Sequence, residues 1–221
     1  MKLLLVEDDT QLADKLAQTF REAGFRVECA RDGATAEFLG ATEAVDAAVL
    51  DLGLPQMDGL SVLRAWREAG LRFPVLIMTA RGRWHDKLAG FDAGADDFLV
   101  KPVHIAETVV RVQALIRRAS GHAKAVLVCG RLELDTHAGR FLLDGAPLQL
   151  TAQERRILAY LMHHSNRVIP RAEFWEHVYD RDAEVDSNSL DVLIGRIRRK
   201  LGDARLLHTV RGQGFRLSDQ P

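Results

Sequence analysis

Carboxylates follow two apolar segments in the first half of the chain. Glu7, Asp8 and Asp9 come directly after the first segment, and Asp51 comes after the third. Clustered carboxylates repel one another unless a cation neutralises them. An all-oxygen ligand set suits Mg²⁺, which keeps several waters and commonly bridges to a phosphoryl group. Because a carboxylate held by such a metal can attack phosphorus as an aspartyl nucleophile, these residues indicate phosphoryl chemistry.

A hydroxyl and an ammonium group follow two later apolar segments. Thr79 lies at the end of the fourth segment and Lys101 follows the fifth. An acyl phosphate needs donors for its charged oxygens, and Lys101 can supply one charged contact and Thr79 one hydroxyl donor. Each of these residue types is common at a strand end when taken singly. The combination of carboxylates, one hydroxyl and one ammonium is what predicts a phosphoryl site.

The elements that must position these side chains alternate between short strands and helices. The predicted strands are 3–6, 26–30, 47–50, 75–80 and 98–100. Amphipathic helical patterns separate them, and a long one over 105–116 closes the series. Five alternations with short connections predict an α/β fold, a doubly wound, five-stranded parallel sheet with helices on both faces. Ligands bind beyond the carboxyl ends of such strands, where all of the polar residues above are expected.

The second half of the chain has a different pattern. Residues 119–124 predict a short linker, so that one domain would span 1–118 and a second 125–221. Gly-containing turns separate short strands predicted at 126–128, 132–134, 141–143 and 148–150. Helices are predicted over 152–163, 171–179 and 187–201, followed by a hairpin over 207–217. Three helices followed by a hairpin are typical of a winged helix, an α+β domain.

The charges divide unequally between these halves. Residues 1–118 contain 15 basic and 18 acidic residues and residues 119–221 contain 15 and 13, so the net charges of −3 and +2 add to −1. Seven basic residues and one acid fall within 196–216. A nearly neutral chain with an acidic half and a basic end predicts a nucleic-acid partner.

Composition excludes several classes of protein. Hydrophobic residues make up 47% and charged residues 28%, which excludes general disorder. No apolar run approaches the ~18–20 residues that a membrane span needs, so no membrane association is expected. Cys29 and Cys129 stand far apart without metal-ligand spacing, which is typical of a reducing compartment. We therefore expect a cytoplasmic protein.

Residues 1–118 resemble the receiver domain of two-component response regulators, which has a flavodoxin-like fold. The resemblance rests on motifs spread over the whole segment: Val6-Glu7-Asp8-Asp9, Leu50-Asp51-Leu52-Gly53-Leu54-Pro55 with Asp58-Gly59, Thr79-Ala80, Gly94-Ala95-Asp96-Asp97-Phe98 and Lys101-Pro102. It implies that Asp51 accepts a phosphoryl group from a sensor histidine kinase. It also implies that Asp8 binds Mg²⁺ directly, Glu7 through water, and Gly53 through its main-chain carbonyl.

The same resemblance assigns roles around this pocket. It implies that Thr79 and Lys101 bind the phosphoryl oxygens, and that Phe98 changes rotamer when Thr79 moves. It implies a cis Lys101-Pro102 bond, and a loop role for Asp9 rather than a ligand role. The residue after Pro102 is Val103, where the family usually has an aromatic residue. The face expected to form ion pairs in a symmetric dimer consists of Lys87, Asp96, Asp97, Glu107, Arg111 and Arg118.

The last predicted helix has two distinct faces at about 100° per residue. One face is an apolar stripe of Leu190, Leu193, Ile194, Ile197 and Leu201. The opposite face presents Arg and Asn, which can contact base edges in a major groove, and neighbouring basic residues can bind phosphate. The predicted DNA contacts are Asn188, Ser189, Val192, Arg196, Arg198, Arg199, and, on the hairpin, Thr209 and Arg211.

Residues 125–221 resemble the winged-helix effector domain of OmpR/PhoB-type regulators. The matching stretches are Leu150–Glu154, Asp186–Val192, Ile197–Gly202 and Thr209–Arg216. Leu52–Pro55 and His177–Asp180 are similar to the PmrA/QseB-like subgroup. The resemblance implies a transcription regulator whose phosphorylated homodimer binds direct repeats in promoters, with RNA polymerase as a further candidate partner. Gly195 stands where relatives often have Ser or Arg.

Two other functions remain to be weighed. Haloacid-dehalogenase-type phosphatases also use an aspartyl nucleophile with Mg²⁺, but they need a second Asp two residues later, where this chain has Gly53. A DNA-binding protein that acts independently of phosphorylation is the other alternative, and the complete set of pocket residues argues against it. The predicted enzymatic activity is limited to the chain's own phosphate, taken up and hydrolysed at Asp51.

Overall fold

A computed structural model describes residues 1–80, 84–179, 188–202 and 205–220 of the chain. Two compact units are present, Met1–Ala119 and Ser120–Pro221. In the part of the chain so described, no helix is both long enough and apolar enough to cross a membrane.

The first unit is a single parallel sheet with helices on both faces. Its strands are β1 (Lys2–Val6), β2 (Arg26–Ala30), β3 (Ala47–Leu50), β4 (Val75–Thr79) and β5 (Asp97–Val100). Its helices are α1 (Thr10–Glu22), α2 (Gly33–Thr42), α3 (Gly59–Glu68), α4 (Trp84–Asp92) and α5 (Ile105–Ala119). The strand order is β2-β1-β3-β4-β5 with parallel pairing throughout, which confirms the predicted doubly wound sheet.

Alternation along β1 divides the core between the two faces of this sheet. Leu3 and Leu5 pack with α1 and α5 on one face, whereas Leu4 and Val6 pack with α2 and α3 on the other. β1, β3 and β4 are buried along their whole length because helices cover both faces. Within these three strands, the only polar side chains are therefore at the ends, Lys2 at the start of β1 and Thr79 at the end of β4.

Aspartates at the carboxyl-end loops begin three of the helices. Asp9 caps α1 by accepting hydrogen bonds from the backbone N–H groups of Gln11 and Leu12, which confirms its loop role. Asp32 and Asp58 cap α2 and α3 by also accepting from backbone N–H groups of the first turn. Gly59 follows Asp58 because a Cβ there would lie 2.1 Å from the carbonyl oxygen of Asp51. The start of α3 is thus packed directly against the loop after β3.

In its described residues, the second unit contains two antiparallel sheets and three helices. The first sheet has the order β6 (Val126–Cys129), β7 (Leu132–Asp135), β8 (Arg140–Leu143), β9 (Ala146–Pro147). The helices are α6 (Ala152–His163), α7 (Arg171–His177) and α8 (Asn188–Leu201). The second sheet consists of β10 (Val168–Ile169), β12 (Gly214–Leu217) and β11 (Leu207–Val210) in that order. Helices followed by the β11–β12 hairpin confirm the predicted winged helix.

The strand predicted at 148–150 is wrong. Asp144 and Gly145 adopt positive φ values of 52° and 77°, so they form a tight turn after β8. The returning strand therefore begins at once, at Ala146, and ends at Pro147, after which the backbone N–H of Leu148 donates once more to the carbonyl oxygen of Phe141 at 2.9 Å. The apolar residues Leu148 and Leu150 follow in irregular structure. The two-residue strand β10 has no detectable sequence pattern and was not predicted.

Gly214 and Gly195 offer a matched test of packing in the second unit. Gly214 has a φ of 149°, and a Cβ there would lie 2.0 Å from the carbonyl oxygen of Ile169, whereas a Cβ at Gly195 would meet nothing within 4 Å. Gly214→Ala should lower the free energy of unfolding by about 2–4 kcal/mol. Gly195→Ala should raise it by about 0.5–1 kcal/mol, because alanine favours the helix. Urea unfolding of the full chain measures both, and equal effects would contradict this packing.

Candidate functional site

Three carboxylates meet at the carboxyl edge of the parallel sheet. Glu7, Asp8 and Asp51 each place a carboxylate oxygen within 4.8 Å of the others. Adjacent pairing of β1 and β3, with Val6 opposite Leu50, brings the residues that follow these strands side by side. The chain leaves the sheet in opposite directions from these two strands, which is where open α/β sheets bind ligands. The sequence prediction of an acidic pocket at this edge is confirmed.

One ammonium group is shared by the two buried members of this cluster. The Lys101 Nζ donates to Glu7 Oε1 at 2.7 Å and to Asp51 Oδ2 at 2.6 Å. The exposed fractions of Glu7 and Asp51 are 0% and 5%, whereas Asp8 is exposed. Lys101 follows β5, so its long side chain reaches past β4 to the ends of β3 and β1. The pocket is therefore a buried ion cluster open to solvent on the Asp8 side.

Burial and ion pairing shift the pKa of Glu7 in opposite directions, and the same is true of Lys101. Burial raises the pKa of Glu7, and the hydrogen bond from Lys101 offsets only part of that rise. Burial lowers the pKa of Lys101, but its hydrogen bonds to Asp51 and Glu7 outweigh burial, so its net pKa is raised. Lys101 therefore remains charged at neutral pH.

The remaining oxygens of the cluster fit a hard divalent cation. Glu7 Oε2 is buried and accepts no hydrogen bond, which leaves it able to accept one from a water or to face a cation. Asp51 Oδ1 accepts a 3.0 Å hydrogen bond from the backbone N–H of Gly53, which holds the carboxylate against its own loop. Three carboxylates against one ammonium leave a negative balance, and an all-oxygen set of this kind is what Mg²⁺ prefers.

Thr79 and Phe98 lie on the two strands next to this cluster. Thr79 ends β4, is 1% exposed, and its carbonyl oxygen accepts from the backbone N–H of Lys101 at 2.9 Å. Phe98 is half-buried on β5, with the Lys87 Nζ 5.7 Å from its ring centre. The Lys101–Pro102 peptide bond is cis, as the family resemblance implies.

The six predicted dimer-face residues lie on α4, β5 and α5 or beside them. Arg111 pairs within the chain with Asp97 at 2.8 Å and with Glu107 at 2.7 Å. Asp96 accepts from the backbone N–H of Val75 and pairs with Arg67 at 3.3 Å. Exposed apolar side chains lie on the same elements, namely Leu88, Phe91, Val100 and Val110. A dimer through this face stays a prediction.

The last helix divides into the two faces that its sequence predicts. Leu190, Ile194, Ile197 and Leu201 are all at most 1% exposed, and Leu193 is half-buried. Arg196, Arg199 and Val192 are exposed on the other side. The side chains of Asn188 and Ser189, also predicted as DNA contacts, lie outside the described residues, as do Asp180 and Asp186 to Ser187 of the matching motifs.

Two basic residues of α8 are held by neighbouring elements. The Arg198 guanidinium donates to the carbonyl oxygen of Leu207 at 2.9 Å and to Thr209 Oγ1 at 2.7 Å. Lys200 donates to the buried Glu154 at 2.6 Å, and Glu154 also forms the capping box of α6 with Thr151. These contacts fix α8 to β11 and α6. DNA contacts by Arg198 and Thr209 stay predictions. The hydrogen bond between these two residues has a structural role as well, because it joins α8 to β11.

The β11–β12 turn presents further basic and polar groups. Arg211 and Gln213 are exposed in the turn, and Gly212 adopts a φ of 71°. Arg216, on β12, is half-buried. The exposed α8 face and this turn together form the candidate DNA-binding surface, which consists of Val192, Arg196, Arg199, Thr209 and Arg211.

Comparisons with known proteins match both units. Residues 3–113 match the response regulator receiver domain, and residues 145–217 match the C-terminal domain of transcriptional regulatory proteins. The chain is 43% identical to the two-component response regulator PhoP of Pseudomonas aeruginosa and 41% identical to PmrA of the same organism, in each case over 100% of this chain and 99% of the relative. The chain belongs to the OmpR/PhoB family of two-component response regulators. The receiver domain of the Francisella response regulator 1452 has a TM-score of 0.52 and 36% identity, covering 53% of this chain and 98% of that one.

Membership of this family fixes the general function. As a two-component response regulator, the chain combines a receiver domain with a DNA-binding domain and regulates transcription. A receiver domain implies a histidine kinase partner, and the effector domain implies DNA. It is not an enzyme of the ordinary kind, so the phosphatase alternative is not supported.

Two arginines with structural importance have no recognisable sequence signal. Arg67, at the end of α3, donates to the carbonyl oxygens of Leu71, Phe73 and Gly94 as well as to Asp96. Arg171, at the start of α7, pairs with Asp191 of α8. A basic residue near a helix end is common, and the partners Gly94, Asp96 and Asp191 are distant in sequence. Only the folded arrangement reveals these contacts.

The shared ammonium predicts a stability change. Lys101→Met would leave Glu7 and Asp51 buried and close together without a counter-charge, so we expect the receiver's free energy of unfolding to fall by about 3 kcal/mol. Lys15→Met removes an exposed lysine of α1 and should change it by less than about 0.5 kcal/mol. Urea unfolding with a chelator present measures both. Equal stability of the two variants would show that Lys101 does not neutralise the pocket.

Proposed function

We propose that Asp51 is the phosphoryl acceptor and that its phosphorylation controls DNA binding by the second unit. The observation that supports this most directly is the position of Lys101, whose ammonium lies 2.6 Å from Asp51 Oδ2. A cation held there neutralises the carboxylate before transfer and can hold a phosphoryl oxygen afterwards. The other carboxylate oxygen of Asp51, Oδ1, is oriented by a hydrogen bond from the backbone N–H of Gly53 in the same loop.

The proposed reaction is transfer from a phosphohistidine of the sensor kinase. An oxygen of Asp51 forms a bond to phosphorus, and the bond from phosphorus to the histidine nitrogen breaks, leaving its electron pair on that nitrogen. Lys101 exchanges its contact with Asp51 for a phosphoryl oxygen, and Thr79 donates its hydroxyl to another. Water later attacks the phosphorus, which releases phosphate and restores the carboxylate. The chain's only enzymatic activity would be on this phosphate.

The pocket would use a metal ion in this chemistry. Asp8, Asp51 and the Gly53 carbonyl would hold Mg²⁺, with Glu7 contributing through water, and the bound ion supplies positive charge beside the phosphoryl oxygens. The buried, unpartnered Glu7 Oε2 supports this ligand set. The exposed Asp8 leaves the site accessible from solvent.

Phosphorylation would act on the face made by α4, β5 and α5. Movement of Thr79 towards the phosphoryl group would vacate space beside β5, and Phe98 would turn into it. Two copies would then associate through the dimer face, with Asp97 and Glu107 exchanging their present bonds to Arg111 for bonds to the partner.

The dimer would present two recognition helices to promoter DNA. Arg196 and Arg199 are exposed on α8, and we place them with Asn188 and Ser189 in the major groove of direct repeats. Arg211, in the wing, would reach the adjacent backbone or groove. We assign the domains to 1–118 and 125–221 with a linker between them, a cytoplasmic location, and RNA polymerase as a further partner.

Labelling by a small phosphodonor tests the acceptor. Asp51→Asn keeps the size of the side chain but removes the nucleophile, so acetyl phosphate with Mg²⁺ should give at least about 100-fold less phosphorylated protein than the wild type. Intact-mass spectrometry measures the fraction carrying one phosphoryl group. Asp9→Asn is the matched control, because asparagine also caps a helix, and it should be labelled normally. Normal labelling of Asp51→Asn would contradict the assignment of Asp51 as the phosphoryl acceptor.

A further inference from the structure

One guanidinium joins three elements of the DNA-binding unit. Arg171, the first residue of α7, donates to both oxygens of Asp191 in α8, at 2.7 and 2.9 Å. Its Cζ lies 4.9 Å from the ring centre of Phe215, a buried residue of β12. The side chain also lines an open cleft with the wing turn. The helix α7, the first turn of α8 and the wing strand therefore meet at this group.

The pair is poorly placed for a role in stability. The exposed fractions of the two side chains are 48% and 51%, and exposed ion pairs contribute little to folding. A cation at the start of a helix opposes the helix dipole, which applies to Arg171. Asp191 suits the start of α8, but it places a negative charge on the helix that faces the phosphates of DNA. Electrostatics alone would not favour this arrangement beside a polyanion.

The contacts of the Arg171–Asp191 pair restrict the orientation of the elements that it joins. A planar guanidinium that is bidentate to one carboxylate and lies over an aromatic ring has little freedom of rotation. Asp191 immediately precedes Val192 and lies about one turn before Arg196, both exposed on the outer face of α8. Residues near the start of a recognition helix are those that contact base edges. A small rotation of this turn would displace them from their bases.

We propose that the Arg171–Asp191 pair positions the first turn of α8 relative to the wing, and so determines discrimination between DNA sequences rather than affinity for DNA in general. The inference rests on the proposed use of α8 as the recognition helix. It makes Arg171 and Asp191 positioning residues, which act through Val192, Arg196 and Arg199. The ratio of specific to non-specific binding is the quantity they should change.

The test measures that ratio in the full-length chain treated with beryllofluoride. Two duplexes are used: one enriched by the wild type from a random pool, and a scrambled duplex of the same composition. Arg171→Lys keeps the positive charge but cannot form the bidentate contact of a planar guanidinium. Asp191→Asn removes the negative charge of the pair. Each should lower the ratio about tenfold. Asp191→Asn should also bind the scrambled duplex about threefold more tightly, because a negative charge is removed.

The double variant separates positioning from independent contacts. If the two residues act as one pair, Arg171→Lys combined with Asp191→Asn should lower the ratio no further than either single change. A contact of Arg171 with phosphate would affect both duplexes alike and cancel in the ratio. Additive losses in the double variant would therefore overturn the inference.

The Arg131–Asp144 pair provides a control of the same kind. Its side chains are 52% and 54% exposed, and it lies in the β6–β7 and β8–β9 turns at one end of the first sheet of this unit. Arg131→Lys and Asp144→Asn should leave the ratio unchanged. The positioning role would be overturned if the Arg171 and Asp191 variants left the ratio unchanged. It would also be overturned if they lost affinity for both duplexes in parallel and had a lower melting temperature. If the wild type itself bound the enriched and the scrambled duplex with equal affinity, the proposed function would be overturned as well.

Discussion

The Lys101 ammonium lies between the buried carboxylates of Glu7 and Asp51, and the receiver pocket depends on this contact. Burial alone would drive Glu7 towards its protonated form, as its raised pKa indicates. One shared cation keeps two acids close together while leaving the cluster negative overall. That imbalance favours a divalent ion, and under the proposed phosphorylation Lys101 would exchange its contact with Asp51 for one with a phosphoryl oxygen. The three strands that supply these residues, β1, β3 and β5, have their order and register fixed by a core buried on both faces.

The DNA-binding unit uses charge in a different way. Its basic residues are divided between those that hold α8 in place and those that face outward. Arg198 and Lys200 bind β11 and α6, whereas Arg196, Arg199 and Arg211 are exposed. The near-zero net charge of the chain therefore combines an acidic pocket, the proposed site for a cation and a phosphoryl group, with a basic surface proposed to contact DNA. Internal pairing of part of the basic set limits how much charge attracts DNA without regard to sequence.

Sequence patterns predicted most of the fold, and the reasons for the exceptions are physical. Apolar runs identified all five parallel strands, of which β1, β3 and β4 are buried along their whole length, and turn residues identified the wing. The strand at 148–150 was misplaced because apolar Leu148 and Leu150 outweighed the turn geometry of Asp144 and Gly145. Among the pocket residues, the convergence of Glu7, Asp8, Asp51 and Lys101 followed from their positions at the carboxyl ends of parallel strands. The partners of Arg67, Arg171, Arg198 and Lys200 were not predictable, because each contact depends on how separate elements pack in the folded chain.

Selection of bound DNA from a random pool tests the central claim, that the state of the Asp51 pocket controls DNA recognition. The full-length wild type and Asp51→Asn are each compared with and without beryllofluoride and Mg²⁺. The account predicts strong enrichment of a repeated half-site only for the wild type with beryllofluoride, and weak enrichment in the other three samples. Equal enrichment of the same sequence in all four would contradict it, because DNA recognition would then be independent of the pocket.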